Sequence, residues 1–191
     1  MVYSAEIFAE SRVDRVHLES AAAAIIRLAD SMGCGDPKIS LKPLPDELLP
    51  LNQRGQVDRT IINGFPQDES LRLVVTGRDL GVGDDEPTNL NFVFGTSRLG
   101  RVIMSTRRLH TADDFAALTF HEAGHAEGLV QPSARNYDRR SGFGGHCVNP
   151  CVMQPGDSYT DMQSMVHRYN SHHPFCGDCS GFLLNRPRLP W

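Results

Sequence analysis

The chain of 191 residues lacks any long apolar run: its longest, "AAAAIIRLA", is interrupted by Arg27 and falls well short of the ~20 residues needed to cross a bilayer. Its first residues, "MVYSAEIFAESRVDRVHLES", show no basic stretch leading into an apolar one, so a secretory leader is not expected and a cytoplasmic protein without membrane association is. Positive charge is scarce as well. Lys and Arg number 19 against 23 Asp and Glu, a formal net charge of -4, and the basic pieces "STRRL" and "ARNYDRR" are too short to make a phosphate-binding face. Nucleic acid is therefore not an expected partner. Repeats and low-complexity tracts are absent too, while 40% hydrophobic and 22% charged residues are ordinary for a globular domain that buries its core without disulfide staples. A single domain over 1–191 is expected.

Five cysteines are present, an odd number, and four of them form two close pairs: Cys147 with Cys151 and Cys176 with Cys179. In a chain expected to stay in a reducing compartment, such pairs point to metal ligands before disulfides.

Local patterns give a coarse outline. The stretch 13–32 carries Val16, Ala23, Ile26 and Leu28/Ala29 at helical spacing, with Gly33 placed to end the helix. "KPLPDELLPLNQRG" has three prolines and predicts an irregular connection, and "QVDRTIINGF" predicts a short helix. "LRLVVTG", "NLNFVFG" and "GRVIMST" predict strands, the last two an adjacent pair joined by a turn at "GTSRLG". Thr111 then opens "TADDFAALTFHEAGHAEG", a helix with an N-cap, two early aspartates and Gly128 as its stop. Beyond Gly128 the sequence predicts loops.

That last helix holds the chemistry. His121 and His125 stand at i and i+4 and so share one face, where both imidazoles can reach one cation. Glu122 sits one residue round, beside such a cation but not on it, which is the place for a general base. The string HExxH thus predicts a zinc site. A third ligand must come from elsewhere: Gln131, Asp138, His146, His167, His172 and His173 are candidates, and His146 stands out because Cys147, Cys151 and Met153 follow it directly in "HCVNPCVM". The four cysteines, spaced within the range of known zinc knuckles, predict a closed all-thiolate structural zinc site, with buried free thiols or a disulfide as the alternative. His17 and His110 are expected only to pack or face solvent. Lone Cys34 is expected to be a loop or core thiol, Tyr137 and Tyr159 packed or rim tyrosines with an oxyanion-stabilising role as the alternative, and Arg54 and Gln56 to anchor a helix by hydrogen bonds.

In order along the chain, "RGQVDRT", "LNFVFG", "STRRL", "HEAGHAEG", "HCVNPCVM" and "CGDC" together resemble the archaemetzincins, whose pattern is HExxHxxGxxH-C-x4-C-x-M-x17-C-x-x-C. The likeness covers roughly Arg54 to Cys179. This chain departs from the pattern in three ways: His146 lies 15 residues beyond the expected position, which Gln131 occupies; the first cysteine pair is spaced x3; and 22 residues separate Met153 from Cys176. Stretching the span between the second and third ligands from about 6 to 21 residues costs only about 1 kcal/mol in chain entropy. Structural zinc binding contributes roughly 10–16 kcal/mol in small peptides. A longer tether is tolerable, and a rigid knuckle at Cys147 would help to hold its neighbour His146.

The resemblance implies an α/β (α+β) zincin fold of the metzincin type, with a twisted mixed sheet, an active-site helix within 1–128, and a C-terminal subdomain, 129–191, built on the four-cysteine zinc site. It implies Met153 as the Met-turn beneath a catalytic zinc held by His121, His125 and His146, and peptide-bond hydrolysis with Glu122 as the base. Two zinc ions per chain and a peptide or protein substrate follow as expectations. An extended substrate is expected along the edge of "LNFVFG" or "RVIMST" by strand addition, and the insertion 129–145 is expected to be a lid or specificity loop. The alternatives are a catalytically silent, zinc-stabilised binding protein of the same fold and a zinc-ribbon interaction module in which HExxH is incidental.

Overall fold

The computed structural model describes residues 3–52, 54–65, 70–81, 93–139, 145–156 and 158–185. Strand β1 (Ser4–Glu10) leads into helix α1 (Arg15–Ser31) and back to strand β2 (Lys38–Leu44), which pairs parallel with β1. Strand β3 (Val57–Asp58) pairs parallel with β5 (Leu80–Gly81) in a small separate ladder. Among the described residues, strands β4 (Ser70–Thr76), β6 (Gly95–Arg98) and β7 (Arg101–Ser105) join β1 and β2 in a mixed five-stranded sheet of order β2-β1-β4-β7-β6, in which the β6–β7 pair is antiparallel and the others parallel. Helices α2 (Ala112–Ala126), α3 (Tyr159–Tyr169) and α4 (Gly177–Asn185) follow. No helix among the described residues is long and apolar enough to cross a membrane.

Strand alternation splits the core in two. Ala5 and Ile7 of β1, Leu71, Leu73 and Val75 of β4, and Val102 and Met104 of β7 turn to one face and pack with α1 and α2. Phe8, Val74 and Ile103 turn to the other and pack with Leu44, Val57, Ile62 and Leu80. The first core also takes in Val152, Met153, Met162, Phe175 and Leu183, so the cysteine-bearing C-terminal part shares its apolar interior with the sheet and helices.

Several local expectations need correction. The buried stripe of α1 is Ala21, Ala24, Ile25, Leu28 and Ala29, whereas Val16 and Ile26 are exposed; in an Ala-rich helix the apolar pattern alone leaves the phase undecided. Lys42, Pro43 and Leu44, assigned from sequence to an irregular connection, belong to β2. This strand is at the sheet edge, where a missing N–H is tolerated. "QVDRTIINGF" gives a two-residue strand and a 3-10 turn, Arg59–Gly64, capped by Asp58, and Gln56 pairs with Asn52 within a turn. The turn read at "GTSRLG" is itself strand β6 for four residues; residues 89–92 of "NLNFVFG" lie outside the described residues, and Val93 makes a single bridge to Leu80. β7 lies between β4 and β6, so it offers no free edge.

Helix α2 is the centre of the molecule. Thr111 and Asp114 form a reciprocal capping box, and Gly128 with φ 84° turns the chain away at the other end. Every residue from Asp114 to Gly124 is buried. Phe120 is fully buried, stacked on Phe175 at 4.9 Å and edge-on to Tyr169 at 5.4 Å, so it fastens α3 and the C-terminal part to α2. Phe120→Ala is expected to cost about 3–5 kcal/mol, read as a lowered urea midpoint at unchanged slope.

Candidate metal centre and active site

His121 and His125 stand one turn apart on α2, and the structure brings His146 up to them. The three imidazoles offer one nitrogen each, all within 4.8 Å of one another, with His121 Nε2 and His125 Nε2 only 3.1 Å apart. Val152 O lies 2.8 Å from His121 Nδ1 and so takes its proton, which leaves Nε2 of the neutral ring as a bare lone pair. Burial, then the nearby His146, holds His121 down to about 3; burial and both neighbouring imidazoles push His125 well below the usual range. Neither ring is protonated near neutral pH. Neutral imidazoles with lone pairs converging at 3.1 Å repel unless a cation lies between them, and tetrahedral zinc with Zn–N of about 2.0–2.1 Å sets its nitrogens roughly 3.3 Å apart. The donor set therefore fits zinc.

How His146 arrives is the main surprise of the chain path. The insertion folds back on itself: Tyr137 bridges Cys147 in antiparallel sense, Asp138 N donates to His146 O at 2.7 Å, and Val148 N donates to Asn136 O at 2.9 Å. The loop that must close is therefore only that between Asp138 and His146. Of the insertion 129–145, from which a lid or specificity loop is expected, residues 140–144 lie outside the described residues. Asp138 meets His146 through its backbone N–H, and Gln131, His167, His172 and His173 are exposed; none joins the histidine group.

Below the histidines lies Met153, fully buried. A Cβ on Gly124 would come within 2.8 Å of its sulfur and 3.1 Å of Leu129 Cδ1, so the helix turn between the two histidines can rest on Met153 only because it carries glycine.

Glu122 is buried, and burial pushes its carboxyl up to about 7 against the lowering effect of Ser97. Ser97 Oγ donates to Glu122 Oε2 at 2.8 Å, and a Cβ on Gly95 would stand 3.1 Å from Cγ and Oε1. Both contacts come from β6, the strand whose first residues the sequence pattern assigns to a turn, which is why neither residue is visible without the fold. The raised carboxyl has a stability consequence for the metal-free protein. Between its unfolded value of 4.5 and its folded value of about 7, the folded chain holds a proton that the unfolded chain releases, so this contribution is full below 4.5 and lost as pH rises through 7. Relative to Glu122→Gln, metal-free wild type is expected to lose on the order of 3 kcal/mol across that window, measured by urea titration at both ends; a flat difference would contradict the buried, weakly solvated carboxyl.

The four cysteines form the second group. Their sulfurs all lie within 4.8 Å of one another, with Cys147–Cys176 at 3.7 Å and Cys151–Cys179 at 4.0 Å. These distances exclude S–S bonds of about 2.05 Å and match the roughly 3.8 Å between sulfurs of a tetrahedral zinc with Zn–S of about 2.3 Å. All four are free thiols. Burial pushes Cys147 up to about 12; Cys179 is raised because its thiol proton is held by Cys151, which that bond lowers to about 6. Without a cation this cluster keeps protons that a divalent ion would displace. The unanticipated member is Asn136, buried, whose side-chain amide reaches Cys147 Sγ at 2.9 Å and Cys179 Sγ at 3.1 Å.

The remaining candidates are peripheral. Tyr159 is half exposed and meets His110 edge-on, Tyr137 packs against the first core, His17 lies edge-on to Phe115, and Cys34 sits in the turn after α1, with its thiol near Met32 O.

The fold is that of the archaemetzincins. Archaemetzincin from Methanopyrus kandleri aligns with a TM-score of 0.65 and 23% identity over 95% of this chain and 93% of that one. Archaemetzincin from Archaeoglobus fulgidus, in complex with malonate, aligns with a TM-score of 0.62 and 24% identity over 93% and 98%. No protein-family model and no curated protein matches the sequence.

Proposed function

We propose that the chain is a zinc-dependent metallopeptidase, with a catalytic zinc at His121, His125 and His146 and a structural zinc at Cys147, Cys151, Cys176 and Cys179. The observation that carries the reading is the convergence of three imidazoles, two of them kept neutral by burial, beside a buried carboxyl held by a separate strand. A zinc ion there supplies Lewis-acid polarisation of the scissile carbonyl and makes a water acidic enough to lose its proton near neutral pH.

The protein groups do the rest. Ser97 occupies Glu122 Oε2 and fixes the side-chain rotamer, leaving Oε1 to receive the proton of the attacking water. A carboxyl whose burial raises its affinity for protons is suited to hold that proton briefly and pass it to the leaving amine. Val152 O holds the His121 ring, the insertion stem holds His146, and Met153 closes the floor. Among the described residues β6 is the last strand of the sheet, and its outer edge is the rail for an extended peptide; pairing there would set the scissile bond over the histidines by main-chain hydrogen bonds. The alternative of a silent, zinc-stabilised binding protein is less well supported, because such a protein has no use for a buried acid beside three imidazoles.

The test is exposure of the zinc-loaded protein and its chelated form to a peptide library, with cleavage read by mass spectrometry. Cleavage at defined bonds that disappears on chelation and returns with zinc is expected. Metal binding at the histidines with no cleavage of any peptide would favour the silent alternative.

A further inference from the structure

A four-thiolate cluster on a divalent ion carries net negative charge inside an apolar core, and something must offset it. Half-buried Asn149 gives Cys147 its backbone N–H at 3.4 Å and Cys176 its side-chain amide at 3.5 Å, but the buried side chain aimed into the sulfurs is Asn136, 5% exposed, with Nδ2 at 2.9 Å from Cys147, 3.1 Å from Cys179 and 3.9 Å from Cys176. An amide carries two N–H donors, and two sulfurs at close range use both. Asn136 also belongs to the insertion, and its own backbone carbonyl accepts from Val148 N at 2.9 Å, while two residues on Asp138 N reaches His146 O at 2.7 Å. The side chain reaches the sulfurs, and the backbone of the same stem pairs with Val148 and His146, on either side of Cys147.

We propose, on the reading that the cysteines hold a metal, that Asn136 is a positioning residue that couples the four-cysteine group to the three-histidine group: its amide stabilises the anionic sulfurs and so locks the stem that presents His146. The insertion is then a replacement strut for the short connection that this chain lacks. Its first half supplies the N–H donors, and the loop closes between Asp138 and His146.

The experiment uses the full chain loaded with cobalt(II). Asn136→Leu keeps the volume and removes both donors; Asn136→Asp keeps the shape and sets a carboxyl against the sulfurs. Loss of N–H···S bonds leaves the thiolates more electron-donating, so the thiolate-to-cobalt charge-transfer band is expected at lower energy in Asn136→Leu. Removal of the four-sulfur cation by a chelator should be easier by about 10–100-fold, the usual range for an outer-sphere partner, and affinity at the histidines should fall with it; Asn136→Asp should be worse at both. An unmoved band and unchanged affinities in Asn136→Leu would show that the amide only fills space. Should neither variant fold, the wild-type protein with cadmium-113 decides: the Asn136 side-chain amide protons are expected to couple through the sulfurs to the metal, and absence of that coupling overturns the inference. If wild type shows no thiolate-to-cobalt band at all, the cysteine group is not a metal site and both readings fall; a normal wild-type band with indifferent variants removes only the role of Asn136.

Discussion

Glu122→Gln is expected to lower peptide hydrolysis by about 10²–10⁴-fold, the usual contribution of a general base, while the histidines keep their cation. The substitution preserves volume in a buried site and leaves an oxygen to accept from Ser97 Oγ, which lies 2.8 Å from Oε2, so it removes proton transfer and little else. Neither His121 nor His125 hydrogen-bonds the carboxylate; their rings are held by the Val152 and Leu129 backbones instead. Metal content by mass spectrometry and turnover of a peptide found in the library screen are the two measurements. Unaltered turnover at full metal content would remove Glu122 from the mechanism, and loss of metal would make it structural.

Cys179→Ser is expected to have the largest effect on stability. Its sulfur is buried, 4.0 Å from Cys151, and receives the Asn136 amide. A structural zinc contributes about 10–16 kcal/mol in small peptides, comparable with the whole 5–15 kcal/mol stability of a typical domain. Losing even about 5 kcal/mol lowers the melting temperature by roughly 10–20 °C in a chain of this size. The C-terminal part should loosen first, since Cys147 fixes its neighbour His146 and Cys179 fixes α4. Activity should fall with it, although Cys179 touches neither histidine nor Glu122. Wild type treated with a strong chelator should melt like the variant; equal melting of variant and zinc-loaded wild type would show the cysteine group to be an ordinary apolar cluster.

Much of the local structure was legible because it rests on short-range rules. Thr111 and Asp114 announce the start of α2 and Gly128 its end, and the structure shows both. The loops expected beyond Gly128 give way to two helices, α3 and α4; α3 carries its own signal, Ser158 with Asp161 three residues on, which forms a cap, but among cysteines and prolines its amphipathic pattern is only eleven residues long. Strand β2 gives no readable pattern because an edge strand with mostly exposed residues alternates weakly, and β1, although interior, mixes small and charged residues in "SAEIFAE" and offers no apolar run. Ser97 and Gly95 are not legible because "GTSRLG" reads as a turn where β6 runs, and Asn136 is not because composition marks its segment only as loop.

The sequence by itself determined that two imidazoles share a helical face with a carboxylate between them, and that four sulfurs come in two tight pairs, since i,i+4 and knuckle spacings are geometry written in a few consecutive residues. The tertiary structure decided among the candidate ligands by bringing His146 to the pair, and it alone decided how a long insertion closes by pairing its own ends and that β6 sets Ser97 on Glu122. Those contacts join residues far apart in the chain, where no local period records them and only the packing of one element on another brings the groups together.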